Sequence, residues 1–257
     1  MRRLISFPCE GETLIGTLDE APGTTGVLIV SGGNEIRAGA HRGMALLAQR
    51  LAATGVPVFR YDRRGVGDSS GKNTGYEGAG PDLAAAITAF RDAAPGLTRL
   101  LAFGNCDGAS AILLQAPDIV DRVALANPWI TDSDDGMPPA AAIRARYAGR
   151  WRDPGAWRAL IRGEINIGKL ISGLRKIAAS RHEAVSDLEE RVFTALAAHP
   201  DAHIVLAKGD ATAISFADAA RKRGYPGPIE TIETDSHSFA RAVDADALFH
   251  FLRRLAH

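Results

Sequence analysis

Cysteine is scarce in this chain of 257 residues: there are two, Cys9 and Cys106, far apart in sequence. Two cysteines do not make a disulfide framework. With no C-x-x-C pair and no Cys/His spacing for zinc, a structural metal site is not expected either. A dominant charge is also missing. Lys+Arg and Asp+Glu both number 30, so nothing global draws the chain to nucleic acid. No run approaches the ~18 apolar residues of a membrane span. The opening residues, Met1 to Pro8, lack the apolar stretch of a signal peptide. Internal repeats and low-complexity tracts are absent. These absences imply a soluble, cytoplasmic protein with no integral membrane segment, no nucleic-acid partner, and no metal or organic cofactor. What is present is a composition 46% hydrophobic and 23% charged. That is enough for a large core, built either as one α/β domain with an insertion or as two domains.

Short apolar runs alternate with helical stretches along the chain. Leu4 to Phe7 and Thr13 to Leu18 read as an edge hairpin joined through Cys9-Glu10-Gly11-Glu12, with Cys9 a passive strand-end residue. Val27 to Val30 reads as a strand buried on both faces, Val56 to Tyr61 and Leu100 to Phe103 as buried strands, and Arg122 to Ala126 as another strand. Helices are expected over His41 to Thr54, Asp82 to Ala94 and Ala109 to Gln115. Asn127 to Pro200 breaks this rhythm with helical pieces and no β-run. We read 127–200 as a helical cap inserted into a core formed by 1–126 and 201–257. Between Arg144 and Arg181 the cap carries ten Lys/Arg and two acids. That pattern fits a solvated helix face, or a surface that attracts anionic substrates or a membrane. The alternation resumes with His203 to Ala207, a helix over Ile214 to Arg223, a strand at Ile229 to Ile232, and a closing helix over Ala242 to Leu255. The expected fold is a mostly parallel central sheet with helices on both faces.

The most informative stretch is Leu100 to Gln115. An apolar strand runs directly into Gly104-Asn105-Cys106-Asp107-Gly108, and a helix follows without a gap. A G-x-nucleophile-x-G turn between strand and helix is the context of a nucleophile elbow. The two glycines permit a sharp corner and close approach of the two elements. A cysteine at this corner sits at a helix N-terminus, where partial positive charge favours the thiolate that attacks. Ser110, one turn on, is the weaker competitor.

Function in open α/β sheets collects at the carboxyl ends of the strands. Asp210 follows the strand after the cap, and His237 follows the last strand. Nucleophile, acid and histidine therefore occur in the order Cys106, Asp210, His237, with Asp235 as the rival acid. The histidine would move the proton and the carboxylate would fix its tautomer. An oxyanion would be met by the N–H of Asp107 and by that of Gly33 or Asn34, on the loop after Val30. Arg37, His41 and Trp129 are candidate substrate-binding residues. Two nucleotide motifs fail on inspection. Around Gly65-Val66-Gly67-Asp68-Ser69-Ser70 the third glycine of a dinucleotide fingerprint is serine. As a P-loop the same stretch has Val66 for its first glycine and Asn73 after Gly71-Lys72, where Ser or Thr is needed.

With these residues in view, the chain resembles an α/β-hydrolase from Leu4 to its end. Tyr61-Asp62-Arg63-Arg64-Gly65-Val66-Gly67-Asp68-Ser69 is similar to that superfamily's D-x-R-G-x-G-x-S loop. More narrowly, the chain resembles the exosortase A system-associated hydrolases of the first type, bacterial proteins that accompany exopolysaccharide and protein-sorting systems. The likeness lies in Ser6 to Glu12, Gly32 to Arg42 and Gly104 to Ser110. The Cys-Asp-His set also resembles that of dienelactone hydrolases, whose small, cap-free architecture does not match the insertion. The resemblance implies an acyl hydrolase or acyltransferase, esterase or thioesterase in type, acting on a small-molecule acyl substrate through a cysteine nucleophile. A binding protein that kept the fold and lost efficient catalysis is the competing expectation. The oligomeric state has no sequence signal.

Overall fold

A computed structural model describes residues 1–116, 120–131 and 186–257. Its strands are β1 (Arg2–Cys9), β2 (Glu12–Asp19), β3 (Thr25–Val30), β4 (Val58–Tyr61), β5 (Arg99–Asn105), β6 (Arg122–Ala126), β7 (His203–Ala207) and β8 (Ile229–Ile232). They form one eight-stranded sheet in the order β1-β2-β4-β3-β5-β6-β7-β8. The β1–β2 and β2–β4 pairs are antiparallel, and every other pair is parallel. The expected edge hairpin is therefore present, as is the mostly parallel sheet.

The helices are α1 (Gly43–Ala53), α2 (Gly80–Ala93), α3 (Asp107–Gln115), α4 (Asp187–Ala198), α5 (Ala211–Arg223) and α6 (Ala242–Ala256). Strand side chains alternate between faces, and the two faces find different partners. Val27, Ile29, Leu101 and Phe103 point to the side packed by Leu47 and Leu51 of α1 and by Leu248 and Leu252 of α6. Leu28, Val30, Leu100 and Ala102 point to the other side. There Leu83 and Phe90 of α2, Ile112 of α3, Leu188 and Val192 of α4, and Phe216 of α5 close the core. Central strands with apolar residues facing both ways need helices on both sides, which is why they read as continuous hydrophobic runs. None of the helices among the described residues is long and apolar enough to cross a membrane.

Two stretches depart from expectation. The helix anticipated from His41 begins two residues later, at Gly43. His41 and Arg42 lie in a short 3₁₀ turn with left-handed φ of 53° and 61°. Glu35 accepts the Ala40 N–H at 2.6 Å, so a side chain reaching back holds this turn in place of a helix cap. Second, α4, grouped with the cap in the sequence reading, packs beside α3 and shares its apolar cluster. Ser186 caps it by accepting the Glu189 N–H at 3.0 Å. The remaining helical pieces anticipated for the cap, with their basic residues, lie outside the described residues.

Candidate active site

The sharp corner between β5 and α3 is set by two close approaches. A Cβ on Gly104 would lie 2.6 Å from the Gly108 backbone, and one on Gly108 would lie 2.6 Å from the Val30 carbonyl oxygen. Only glycine lets strand and helix approach this closely. Between them Cys106 sits at φ 59°, ψ −128°, a backbone conformation that L-residues rarely adopt. Such strain persists only where the surroundings impose it. Here the Cys106 N–H donates to the Ala126 carbonyl at 3.0 Å, and the Cys106 carbonyl accepts from Ala109 and Trp129. The side chain is partly exposed.

His237 stands on the loop after β8, and Asp210 caps the start of α5. The His237 Nδ1 lies 3.0 Å from Asp210 Oδ1, while Asp210 Oδ2 accepts the Ala213 N–H at 3.0 Å. Cys106 is the other group that acts on the ring. Burial alone would push the His237 pKa down. The hydrogen bonds and charges of Asp210 and Cys106 outweigh it and push the ring up to about 10. Burial would likewise push the Asp210 carboxyl up. The hydrogen bond and charge of His237, with the Ala213 and Thr212 amides, hold it below the ordinary carboxylate range instead. The three residues anticipated from chain order thus converge from three strand ends. Asp235, the rival acid, is exposed. Ser110 is fully buried and donates to the Trp129 carbonyl at 2.5 Å, which gives it a structural duty.

The oxyanion loop differs from expectation in one respect. The Gly33 N–H is not open toward Cys106, because it donates to Asp107 Oδ1 at 2.5 Å. The other Asp107 oxygen lies 3.6 Å from Arg63, whose guanidinium donates to the Gly33 carbonyl. Asn34 is tethered through its side chain, which accepts from Asn73 Nδ2 at 2.8 Å. As the first residue of α3, Asp107 has a backbone N–H with no intrahelical acceptor.

The candidate substrate-binding residues fare unequally. Arg37 is committed elsewhere. Its guanidinium pairs with Asp62, donates to Thr17 Oγ1 at 3.0 Å and reaches Asp68 at 2.8 Å, while its backbone N–H donates to Asp62 Oδ1 at 2.6 Å. Every branch of that side chain is used, so it staples the D-x-R-G loop to the sheet. His41 is exposed and makes no bond to the Cys106–His237–Asp210 group among the described residues. Trp129 lies directly against the corner, its N–H donating to the Cys106 carbonyl at 3.3 Å and its side chain partly buried. Sequence reasoning missed Asn127, which is fully buried at the end of β6 beside these residues. Its only signal was a polar residue at the carboxyl end of an otherwise apolar strand. Among the described residues, no group of three or more His, Cys, Asp or Glu is placed to hold a metal ion.

Residues 24–158 match the Hydrolase_4 family, described as serine aminopeptidase, S33. The chain belongs to the Hydrolase_4 family. Its fold is the α/β-hydrolase fold, shared with solved structures of low sequence identity. An esterase from Pyrococcus furiosus superposes with a TM-score of 0.64 at 16% identity, covering 99% of this chain and 91% of that one. An α/β hydrolase from Penicillium sp. sh18 does so with a TM-score of 0.64 at 16% identity, covering 99% and 96%. An α/β hydrolase from Sphaerobacter thermophilus reaches a TM-score of 0.53 at 22% identity, covering 98% and 100%. No curated protein matches the chain in sequence. The Hydrolase_4 description speaks of serine, whereas in this chain the corner residue is Cys106.

Proposed function

We propose that this member of the Hydrolase_4 family cleaves a carboxylic ester or thioester of a small acyl substrate through an acyl-cysteine on Cys106. The observation that carries this reading is the strained Cys106 corner close to a histidine that Asp210 holds at 3.0 Å. The Cys106 thiolate attacks the acyl carbon, a C–S bond forms, and the carbonyl oxygen becomes an oxyanion. The oxyanion collapses and the C–O or C–S bond to the leaving group breaks. The charged His237 gives that group its proton and becomes neutral. Water then gives a proton to His237 and adds to the acyl carbon. The C–S bond breaks, and the thiolate–imidazolium pair returns. Asp210 stays ionised throughout and steadies the imidazolium. Because these residues hold the ring in its charged form up to about pH 10, the acid for the first step is already in place. The oxyanion is met by the Asp107 N–H and by a second donor from the Gly33–Asn34 loop. With the Gly33 N–H engaged by the Asp107 carboxylate, Asn34 is the candidate.

The strings that resemble exosortase A system-associated hydrolases support placing this activity beside bacterial exopolysaccharide systems. An acyltransferase would use the same residues with another acceptor in place of water. The non-catalytic reading also draws on an observation, since a carboxylate already sits on the Gly33 amide. Iodoacetamide separates the two. An enzyme with an activated thiol is alkylated at Cys106 in one-to-one ratio near neutral pH, and His237→Ala slows the reaction. An inert Cys106, together with no turnover across a panel of p-nitrophenyl esters and thioesters, favours the binding protein.

A further inference from the structure

We propose that Asn127, together with Asn105, is the positioning residue that holds His237 against Cys106, an inference that rests on the acyl-transfer reading of that pair. Asn127 is fully buried and takes a left-handed φ of 43°. Asparagine tolerates this conformation better than most residues. Each polar atom of its side chain ends on a different strand or loop. Its Nδ2 donates to Asn105 Oδ1 at 3.0 Å and to the His237 carbonyl at 3.2 Å. Its Oδ1 accepts the Ala207 N–H at 2.8 Å, and its own N–H donates to the Val205 carbonyl at 3.1 Å. Asn105, the residue before the nucleophile, donates from Nδ2 to the same His237 carbonyl at 3.1 Å.

The connections reach all three members of the proposed triad. The His237 carbonyl is gripped by two carboxamides, from the ends of β5 and β6. Asn105 is covalently joined to Cys106. Ala207, held by Asn127, accepts the Asp210 N–H at 2.9 Å. One buried side chain therefore ties the strand that carries the nucleophile, the strand that leads to the acid, and the loop that carries the histidine. From its far side that loop is held to the turn before the acid, where the Gly209 N–H donates to the Thr234 carbonyl at 2.8 Å, and to α6. Ser236 N–H donates to Thr234 Oγ1 at 3.0 Å, and Thr234 donates to Asp244 at 2.6 Å. None of these bonds reaches the strand that carries Cys106. The two asparagines supply that link, and a shift of about 1 Å in such a pair costs on the order of 10²-fold in rate.

The test uses the full chain, a p-nitrophenyl ester, and the downfield Nδ1 proton of His237, which reports its bond to Asp210 whether or not turnover occurs. Asn127→Gly keeps the left-handed backbone and removes only the side chain. Asn105→Ala is the second variant and removes one of the two donors. The expected result is a fall in kcat of about 10²-fold for Asn127→Gly with little change in KM, a smaller fall for Asn105→Ala, and a weakened Nδ1 proton in both. The double variant should lose less than the two losses combined, because both donors act on one carbonyl. Leu252→Ala, a core change in α6, serves as control. It should lower the thermal midpoint while leaving kcat and the Nδ1 proton as they were. Unchanged kcat and an unchanged Nδ1 proton in both asparagine variants overturn the proposal, as does an equal loss of both in Leu252→Ala. If the unmodified chain turns over no ester and His237→Ala does not alter alkylation of Cys106, the acyl-transfer reading falls. The Nδ1 proton then judges the asparagine clamp alone, and its persistence in Asn127→Gly overturns it.

Discussion

Cys9 and Cys106 are the same chemical group in opposite settings. Cys9 lies 5% exposed on an edge strand and donates its S–H to Asp82 at 3.4 Å. Burial first, and then the charge and hydrogen bond of Asp82, push that thiol up to about 11. Cys106 is partly exposed, sits at a strained corner, and acts on a histidine. The polar groups around the two differ in the same sense. Near Cys9, Asp82 accepts from the Arg64 N–H at 2.9 Å and from the Arg64 guanidinium, which also reaches Glu10, and the cluster closes on itself. Around Cys106 the polar groups run from Asp210 to His237, and the thiol beyond them is partly exposed. A dense polar cluster is thus no sign of chemistry. What separates the two is an end that the protein leaves open.

The harshest way to break this contrast is to remove the open end. Cys106→Ala is expected to lower p-nitrophenyl ester turnover by more than about 10³-fold while the chain stays folded. Residual activity close to that of the unmodified protein, with an unchanged far-UV CD spectrum, removes Cys106 from the mechanism.

Cutting the chain of bonds one step further back comes next. Asp210→Asn is expected to lower kcat by about 10²- to 10⁴-fold, because the imidazole loses its counter-charge and its tautomer. The same variant reads out in stability. The folded His237 pKa is raised from its ordinary 6.5 to about 10. The folded state therefore binds the extra proton between these values, and stability falls as pH rises through that window. The contribution is fully present below about 6.5 and gone above about 10. In Asp210→Asn the thermal midpoint should be flatter across that range. An equally steep decline in the variant places the linkage on another group.

Much of this arrangement was legible in the sequence, for reasons that mark its limits. The two-faced strands were legible because burial on both sides leaves unbroken apolar runs, such as Val27 to Val30. The Cys106 corner was legible because Gly104 and Gly108 are forced by contact. His237 and Asp210 were legible because parallel topology puts each at the carboxyl end of a strand. Side-chain bonds across long separations leave no such trace. Asn127 meets His237 across 110 residues, and the Gly33 amide meets Asp107 across 74. No local pattern announces either. Arg37 was misread for the same reason. An arginine on a loop near a site looks free until its carboxylates arrive from Asp62 and Asp68.

The closed clusters supply milder tests, which should register in stability and not in chemistry. Asp62 is fully buried and holds both Arg37 and the Asp68 N–H. Asp62→Ala leaves Arg37 with Asp68 and Thr17 as partners but removes its buried counter-charge and the acceptor of two backbone N–H groups, and should cost about 3 kcal/mol of folding free energy. A urea titration measures that loss, and kcat of the fraction that remains folded should be little changed. A normal folding midpoint together with a collapsed kcat would move Asp62 into the working site.

The gentlest change falls on the buried thiol. In Cys9→Ala the sulfur leaves a small void, and Asp82 loses one donor. The carboxylate remains satisfied by Arg64, so no buried charge is orphaned, and a cost of about 1 kcal/mol is expected. Turnover should match that of the unmodified chain, and iodoacetamide near neutral pH should still modify one thiol per chain. Loss of that single modification in Cys9→Ala, with Cys106 untouched, would mean that the roles of the two cysteines had been exchanged.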